Sequence, residues 1–398
     1  MPVSVFYVSC FLAFVAGHIL NYSAIFYSLE LFESSLIAGV AYGLCFGPPI
    51  VFGWVAGAYI DRYSAKRVLL LAQNFFIFGA ALMFWVVINP EQKLVWLFLL
   101  ASGFIGVAWA FVAPSRFAYL FQFAKGHEEV LAKSTVILNL LVMLGFGLAP
   151  ILLTQIRDAM GWPWVLTIVF VAFVVSSLLI VKGPNQHKRL HHQNLRQEWR
   201  DCFQQLFTQP LLIQLLLAAI IGYLMMGPMQ VILPQIAEQN LGLTKVQTGN
   251  YLGLIAVSLI MGGLLAIALR SRLPIGKAIV ILLFVCGFSI GLLGVVEQLW
   301  LSCFILVLGT TSAGIVVSFI VASIQSQAVQ QLRGRVMSMY TIISQVVSAA
   351  SGMMAGAIAA FMGPSMSLYV ISVLFVTCTL TIWVGAKSMK AFCSLHTG

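Results

Sequence analysis

This sequence predicts an all-α membrane protein: twelve transmembrane helices arranged as two pseudo-symmetric six-helix bundles. Three observations lead there. The 398 residues are 61% hydrophobic and 8% charged, with a mean hydropathy of +1.02, whereas a soluble domain carries about 25% charged residues. Apolar runs of about 20 residues, the length that crosses a hydrocarbon core, recur twelve times. The longest polar break, Lys182 to Pro210, falls near the middle of the chain.

In chain order the runs cover roughly 4–29, 35–59, 66–88, 94–122, 130–154, 162–182, 211–236, 246–269, 276–296, 299–327, 335–361 and 365–387. The first lacks a basic leader and is too long for a signal-peptide core, so it reads as a span. Pro114, Pro228 and Pro234 fall inside their runs and are expected to interrupt them. Residues 1–182 then form an N-terminal bundle, 183–210 a linker and 211–398 a C-terminal bundle. Within the linker, Leu195, Trp199, Cys202, Phe203, Leu206 and Phe207 share one face at helical spacing, the pattern of an amphipathic helix lying on the membrane.

The charges orient the chain. With the N-terminus inside, only Lys93, Arg157 and Lys245 of the 21 Lys and Arg fall on the outer side, which leaves 18 inside. That asymmetry places both termini in the cytoplasm. The net charge of +10 is therefore topological, and no nucleic-acid partner is expected. The seven cysteines form no C-x-x-C pair and read as small buried hydrophobes. His187, His191 and His192 have no clustered cysteine or acid beside them, so no metal site is expected. There is no phosphate-binding glycine loop, H-E-x-x-H or G-x-S-x-G, and neither a cofactor nor an ATP-driven step is expected.

The most concentrated charge lies between the second and third runs, in Gly57-Ala58-Tyr59-Ile60-Asp61-Arg62-Tyr63-Ser64-Ala65-Lys66-Arg67. The pattern G-x-x-x-D-R-x-x-x-[KR]-[KR] at this place resembles the signature loop of the major facilitator superfamily. Arg333-Gly334-Arg335-Val336-Met337-Ser338-Met339-Tyr340 opening the eleventh run, Gln209-Pro210-Leu211 opening the seventh, and Leu233-Pro234 near its outer end resemble the branch holding the enterobactin exporter and macrolide-efflux-like proteins. The second half repeats the hinge as Arg270-Ser271-Arg272-Leu273-Pro274-Ile275-Gly276-Lys277, basic but without an acid. Two departures stand out. Ser64 occupies a place where many members have glycine. The antiporter series of the fifth span survives only as Gly145-Phe146-Gly147-Leu148-Ala149-Pro150.

The resemblance implies that Asp61 locks an inner gate by contacting the start of the eleventh span near Arg333, Gly334 and Arg335, with Gly57, Arg62, Lys66 and Arg67 completing the motif. Arg116, read near the inner end of the fourth span, is a second partner for Asp61. No run carries a carboxylate at its centre, where an acid would cost about 2.5–3.5 kcal/mol and mark a coupling site. His18 is the one central side chain that titrates near neutrality. Asn21 and Tyr22 follow at i+3 and i+4, so all three share a face that must meet protein or water. This face reads either as a substrate or proton site, or as a histidine hydrogen-bonded between helices. Glu30, three turns outward, is the second candidate proton carrier. Asn139, Tyr223, Gln230, Gln325, Tyr340 and Gln345 are further polar groups inside runs that can line the same cavity.

The resulting expectation is a monomeric secondary transporter of a bacterial inner membrane. It would export a small organic molecule, a siderophore or drug-like amphiphile, coupled to protons by alternating access of the two bundles. Import of a metabolite or siderophore is the alternative. An intramembrane lipid-modifying enzyme would need a nucleophile and base that these runs do not display, so no enzyme is expected.

Overall fold

A backbone in hydrocarbon must satisfy its own N–H and C=O groups, and this chain does so with helices. The computed structural model describes residues 2–124, 128–184, 200, 203–204, 206–328 and 333–392, and among them there is no strand. The expected linker helix over 195–207 lies largely outside the described residues, as do the side chains of Gly57, Asp61, Arg333 and Gly334. Among the described residues, twelve helical stretches are long and apolar enough to cross a membrane: 3–31, 35–56, 65–88, 95–120, 134–160, 162–181, 210–231, 245–269, 275–293, 299–327, 335–362 and 364–385.

Two compact units result. The first comprises Met1–His191 together with Thr244–Gly253, the opening turns of the eighth span. The second comprises His192–Leu243 and Leu254–Gly398. In the first unit the third span packs along the fourth, and the first span lies against the second, fifth and sixth. In the second unit the ninth span packs on the tenth and twelfth, and the eleventh lies against the seventh.

Prolines act differently from the expectation at one site. Pro114 sits inside the unbroken helix Val95–Ala124; the one hydrogen bond it removes is tolerated in a helix packed on both sides. The second span is split at Gly47–Pro48, into Ser35–Phe46 and Pro49–Tyr63. The seventh is split twice, into Pro210–Leu224, Met226–Val231 and Leu233–Gln239. Pro228 and Pro234 each lack an N–H, so the carbonyls four residues earlier lose their intrahelical donors and the helix breaks there. The break lets the eleventh span come close: a Cβ on Gly227 would fall on the backbone of Gly352.

The hinge is built on one strained residue. Ser64 ends the helix Pro49–Tyr63 and caps the third span, Ala65–Ile88, with φ +81° and ψ 141°. A side chain at positive φ with extended ψ costs about 1–3 kcal/mol, which explains why glycine suits this place. Serine offsets part of that cost: its Oγ accepts the Arg67 N–H at 3.4 Å, a cap of about 1 kcal/mol. Two residues on, Lys66 reaches the far end of the bundle's last helix. Its Nζ donates to the carbonyls of Val181 (2.7 Å) and Gly183 (2.8 Å). A cation suits the C-terminal end of the sixth span, Trp162–Val181. The buried Tyr119 of the fourth span donates its hydroxyl to the Pro184 carbonyl at 2.9 Å. Hinge and fourth span thus hold the place where the chain leaves the bundle.

Two outcomes follow for variants purified in detergent. Ser64→Ala keeps the strained φ and loses the cap, lowering stability by about 1 kcal/mol, whereas Ser64→Gly relieves the strain and raises it. Equal melting temperatures for the two would contradict the strained-cap account. Lys66→Met should speed tryptic cleavage at Lys182 several-fold, with Lys66→Arg close to wild type; limited proteolysis reads both.

Candidate functional site

The first span, Val3–Leu31, is buried along most of its length, and its polar residues decide the chemistry of the first unit. His18 is 8% exposed. Its ring lies 4.9 Å from that of Trp109 in the fourth span and 5.5 Å, edge-on, from Phe146 in the fifth. Trp109 Nε1–H donates to Asn21 Oδ1 at 3.1 Å, and Tyr22 packs on Phe146 at 6.0 Å. The i, i+3, i+4 spacing does bring His18, Asn21 and Tyr22 into one place, with two aromatic walls from neighbouring spans.

Four buried polar atoms there have no hydrogen-bond partner among the described residues: His18 Nε2, Asn21 Nδ2, the Tyr22 hydroxyl and Ser23 Oγ. Each orphan of this kind costs about 1–3 kcal/mol, and buried polar groups are ordinarily paired. Three of the four, on His18, Asn21 and Tyr22, form one face able to hydrogen-bond a small polar group between aromatic rings, while Ser23, two residues past Asn21, lies off that face.

Arg116 lies one turn before the Leu120 end of the fourth span. It is wholly buried inside the fourth span, eight residues before that helix ends at Ala124. Its NH1 donates to Cys10 Sγ (3.0 Å) and Ser9 Oγ (3.4 Å), and its NH2 to Ser176 Oγ (3.2 Å). The guanidinium also stands 5.4 Å from the Phe14 ring, and Gln73 of the third span donates to Ser176 Oγ at 2.7 Å. The placement is a bundle interior shared by four spans, near an end of the fourth as its position in the run suggests. Asp61's side chain lies outside the described residues.

Glu30 does not join His18. At the end of the first span its carboxylate pairs with Arg157, accepts the indole N–H of Trp162, and has Lys245 Nζ at 4.0 Å. Of the second-unit residues, Tyr223 and Tyr340 meet directly, hydroxyl to hydroxyl at 2.7 Å. Gln230 is buried, Gln345 is half-buried with an unpartnered Oε1, and Gln325 is exposed; Asn139 of the first unit is exposed as well. Lys66 serves the helix cap described above, and Arg62 and Arg67 are exposed. Reasoning from sequence missed Trp109 and Phe146. Phe146 carried a signal, since the glycines flanking it bring the fifth span close: a Cβ on Gly145 would lie 2.9 Å from the Phe14 backbone.

Comparison with known proteins places this arrangement. A family model described as the Major Facilitator Superfamily matches residues 5–352. The chloramphenicol resistance protein CraA of Acinetobacter baumannii is 25% identical over 254 residues, 62% of this chain and 59% of its own length. Among solved structures, the nucleoside transporter NupG superposes with a TM-score of 0.78 at 14% identity, covering 97% of this chain and 100% of its own. A D-xylose–proton symporter gives 0.75 at 14% identity, with 96% and 97% covered. A POT family transporter in complex with a thioalcohol-conjugated peptide gives 0.77 at 11%, with 97% and 96% covered. At such identities the likeness is one of fold. The match to the family model over most of the chain, together with the twelve membrane-crossing helices, shows that this multi-pass membrane protein belongs to the Major Facilitator Superfamily of transporters.

Proposed function

We propose that this chain is a secondary active transporter of a bacterial inner membrane, with both termini cytoplasmic, that exports a small organic amphiphile in exchange for protons. The observation that carries this reading is the orphaned polar face of the first span, His18, Asn21 and Tyr22, set against Trp109 and Phe146. Hydrogen-bonding groups between aromatic walls suit a neutral, partly apolar molecule such as a siderophore or drug-like compound better than a strongly charged metabolite. The similarity to a chloramphenicol resistance protein supports efflux of that chemical class.

In this reading the N-terminal bundle of residues 1–182 and the C-terminal bundle of residues 211–398 rock as rigid halves about a central site, joined by the linker over 183–210. Tyr223, Tyr340, Gln230 and Gln345 are the second half's contribution to the cavity. Asp61 acts at the gate with Arg333, Gly334 and Arg335, and His18 is the group that couples transport to protons. The transporter works as a monomer.

Proteoliposomes loaded with candidate amphiphiles and subjected to a pH gradient test the proposal. Efflux should be driven by the gradient and lost in Asp61→Asn while the protein still inserts in the membrane; retained transport in that variant would remove Asp61 from the gate. Wild-type transport should change with pH, and His18→Gln should flatten that profile. An unchanged profile would assign coupling elsewhere, with Glu30 next to be replaced.

A further inference from the structure

At the end of the second unit that carries the C-terminus, the seventh and twelfth spans diverge around a groove of about 400 Å³. Ile213, Gln214 and Leu217 form one wall; Thr381, Ile382 and Gly385 form the other. Leu217, Thr381 and Gly385 are exposed, and a Cβ added to Gly385 would meet nothing within 4 Å. The groove is therefore open on its flank. Both walls are membrane-crossing helices, so what fills its apolar part is hydrocarbon.

Its end is closed by cationic structure. The chain turns at Ala386, which lines the groove, into the short helix Lys387–Ala391. That helix is fastened to the bundle at two points. The Met389 N–H donates to Gln214 Oε1 at 2.7 Å, and the Phe392 carbonyl accepts the Gly276 N–H at 3.0 Å. Lys387, exposed, follows directly on Ala386 of the groove's lining, and Lys390 is held with its ammonium 5.2 Å from the Trp383 ring. Among the described residues of the second unit the acids are Glu238 and Glu297, in or beside connections at the other end of the spans, and no ion pair of Lys387 or Lys390 is seen.

We infer that this groove is a binding site for an anionic phospholipid, with an acyl chain between the seventh and twelfth spans and the headgroup phosphate on Lys387 and Lys390. A basic pocket between membrane helices is the recognised setting for anionic headgroups. The apolar walls decide in favour of a lipid over a soluble phosphate, which would leave them uncovered.

Native mass spectrometry of the full chain in detergent, titrated with phosphatidylglycerol or phosphatidylcholine, tests the site. The first phosphatidylglycerol should bind more tightly than phosphatidylcholine, by about fivefold for each lysine engaged. Lys387→Gln with Lys390→Gln should bring the two lipids level, and the paired Arg variants should restore the preference. Gly385→Leu, whose Cβ would meet nothing within 4 Å, should take up groove space and weaken phosphatidylglycerol binding while every surface charge remains. Glycerol phosphate at equal concentration should not compete. Equal binding of the two lipids by the wild type, undiminished binding by Gly385→Leu, or competition by glycerol phosphate would each overturn the assignment.

Discussion

The first unit depends on one buried cation. Arg116 occupies a bundle interior where an isolated charge costs several kcal/mol, and it is tolerated because its donors are spread over the spans that surround it. Ser9 and Cys10 of the first span and Ser176 of the sixth all take hydrogen bonds from it. Ser9 and Ser176 also bond each other reciprocally, hydroxyl to carbonyl at 3.0 and 2.9 Å. Gln73 adds the third span to the same node. In lipid there is little hydrophobic force to press one apolar helix on another, so such a node does what a hydrophobic core does in water. It sets the register of four helices, and with it the relation of His18, two turns along the first span, to Trp109, two turns back along the fourth.

Much of the architecture was legible because its cause is local and repeated. Each span announces itself by length and hydropathy, and the bias of Lys and Arg gave every loop an expected side. What sequence could not deliver was whether a given proline breaks its helix. Pro114 and Pro228 look alike in a run of apolar residues, yet one helix continues and the other ends, because the outcome depends on neighbouring spans. The polar stripe of the first span was readable from spacing alone, since i, i+3 and i+4 fall on one face whatever the fold. Its aromatic walls were not, because Trp109 and Phe146 meet it only through packing between distant parts of the chain. Arg116 was legible by counting as a residue near an end of the fourth span, one turn before Leu120; its partners Ser9, Cys10 and Ser176 were not, because they too meet it only through packing.

The two units solve one mechanical problem by different chemistry. Each must fix the end of its last span to the rest of its bundle. In the first, Lys66, second residue of the third span, grips the carbonyls of Val181 and Gly183 at the end of the sixth. In the second, Gly276, second residue of the ninth span, uses its backbone N–H to hold the Phe392 carbonyl just beyond the twelfth. The contact is so close that a Cβ on Gly276 would strike the Met389 carbonyl. A lysine spans a gap with a flexible stem; a glycine removes the gap. The repeated hinge therefore keeps its mechanical duty in both halves, although only the first half retains an acid.

The seat of the short helix Lys387–Ala391 also bears on how the protein can be handled. A fluorescent or affinity fusion joined directly after Gly385 would strip Gly276 of its acceptor and leave Gln214 without the amide it receives. Two polar groups at the rim of the bundle would be left to compete for detergent-borne water. A fusion placed after Gly398 keeps both fastenings. Fluorescence from the shorter fusion would then report a loosened bundle, and a screen that ranks detergents by that signal would rank them for the wrong molecule.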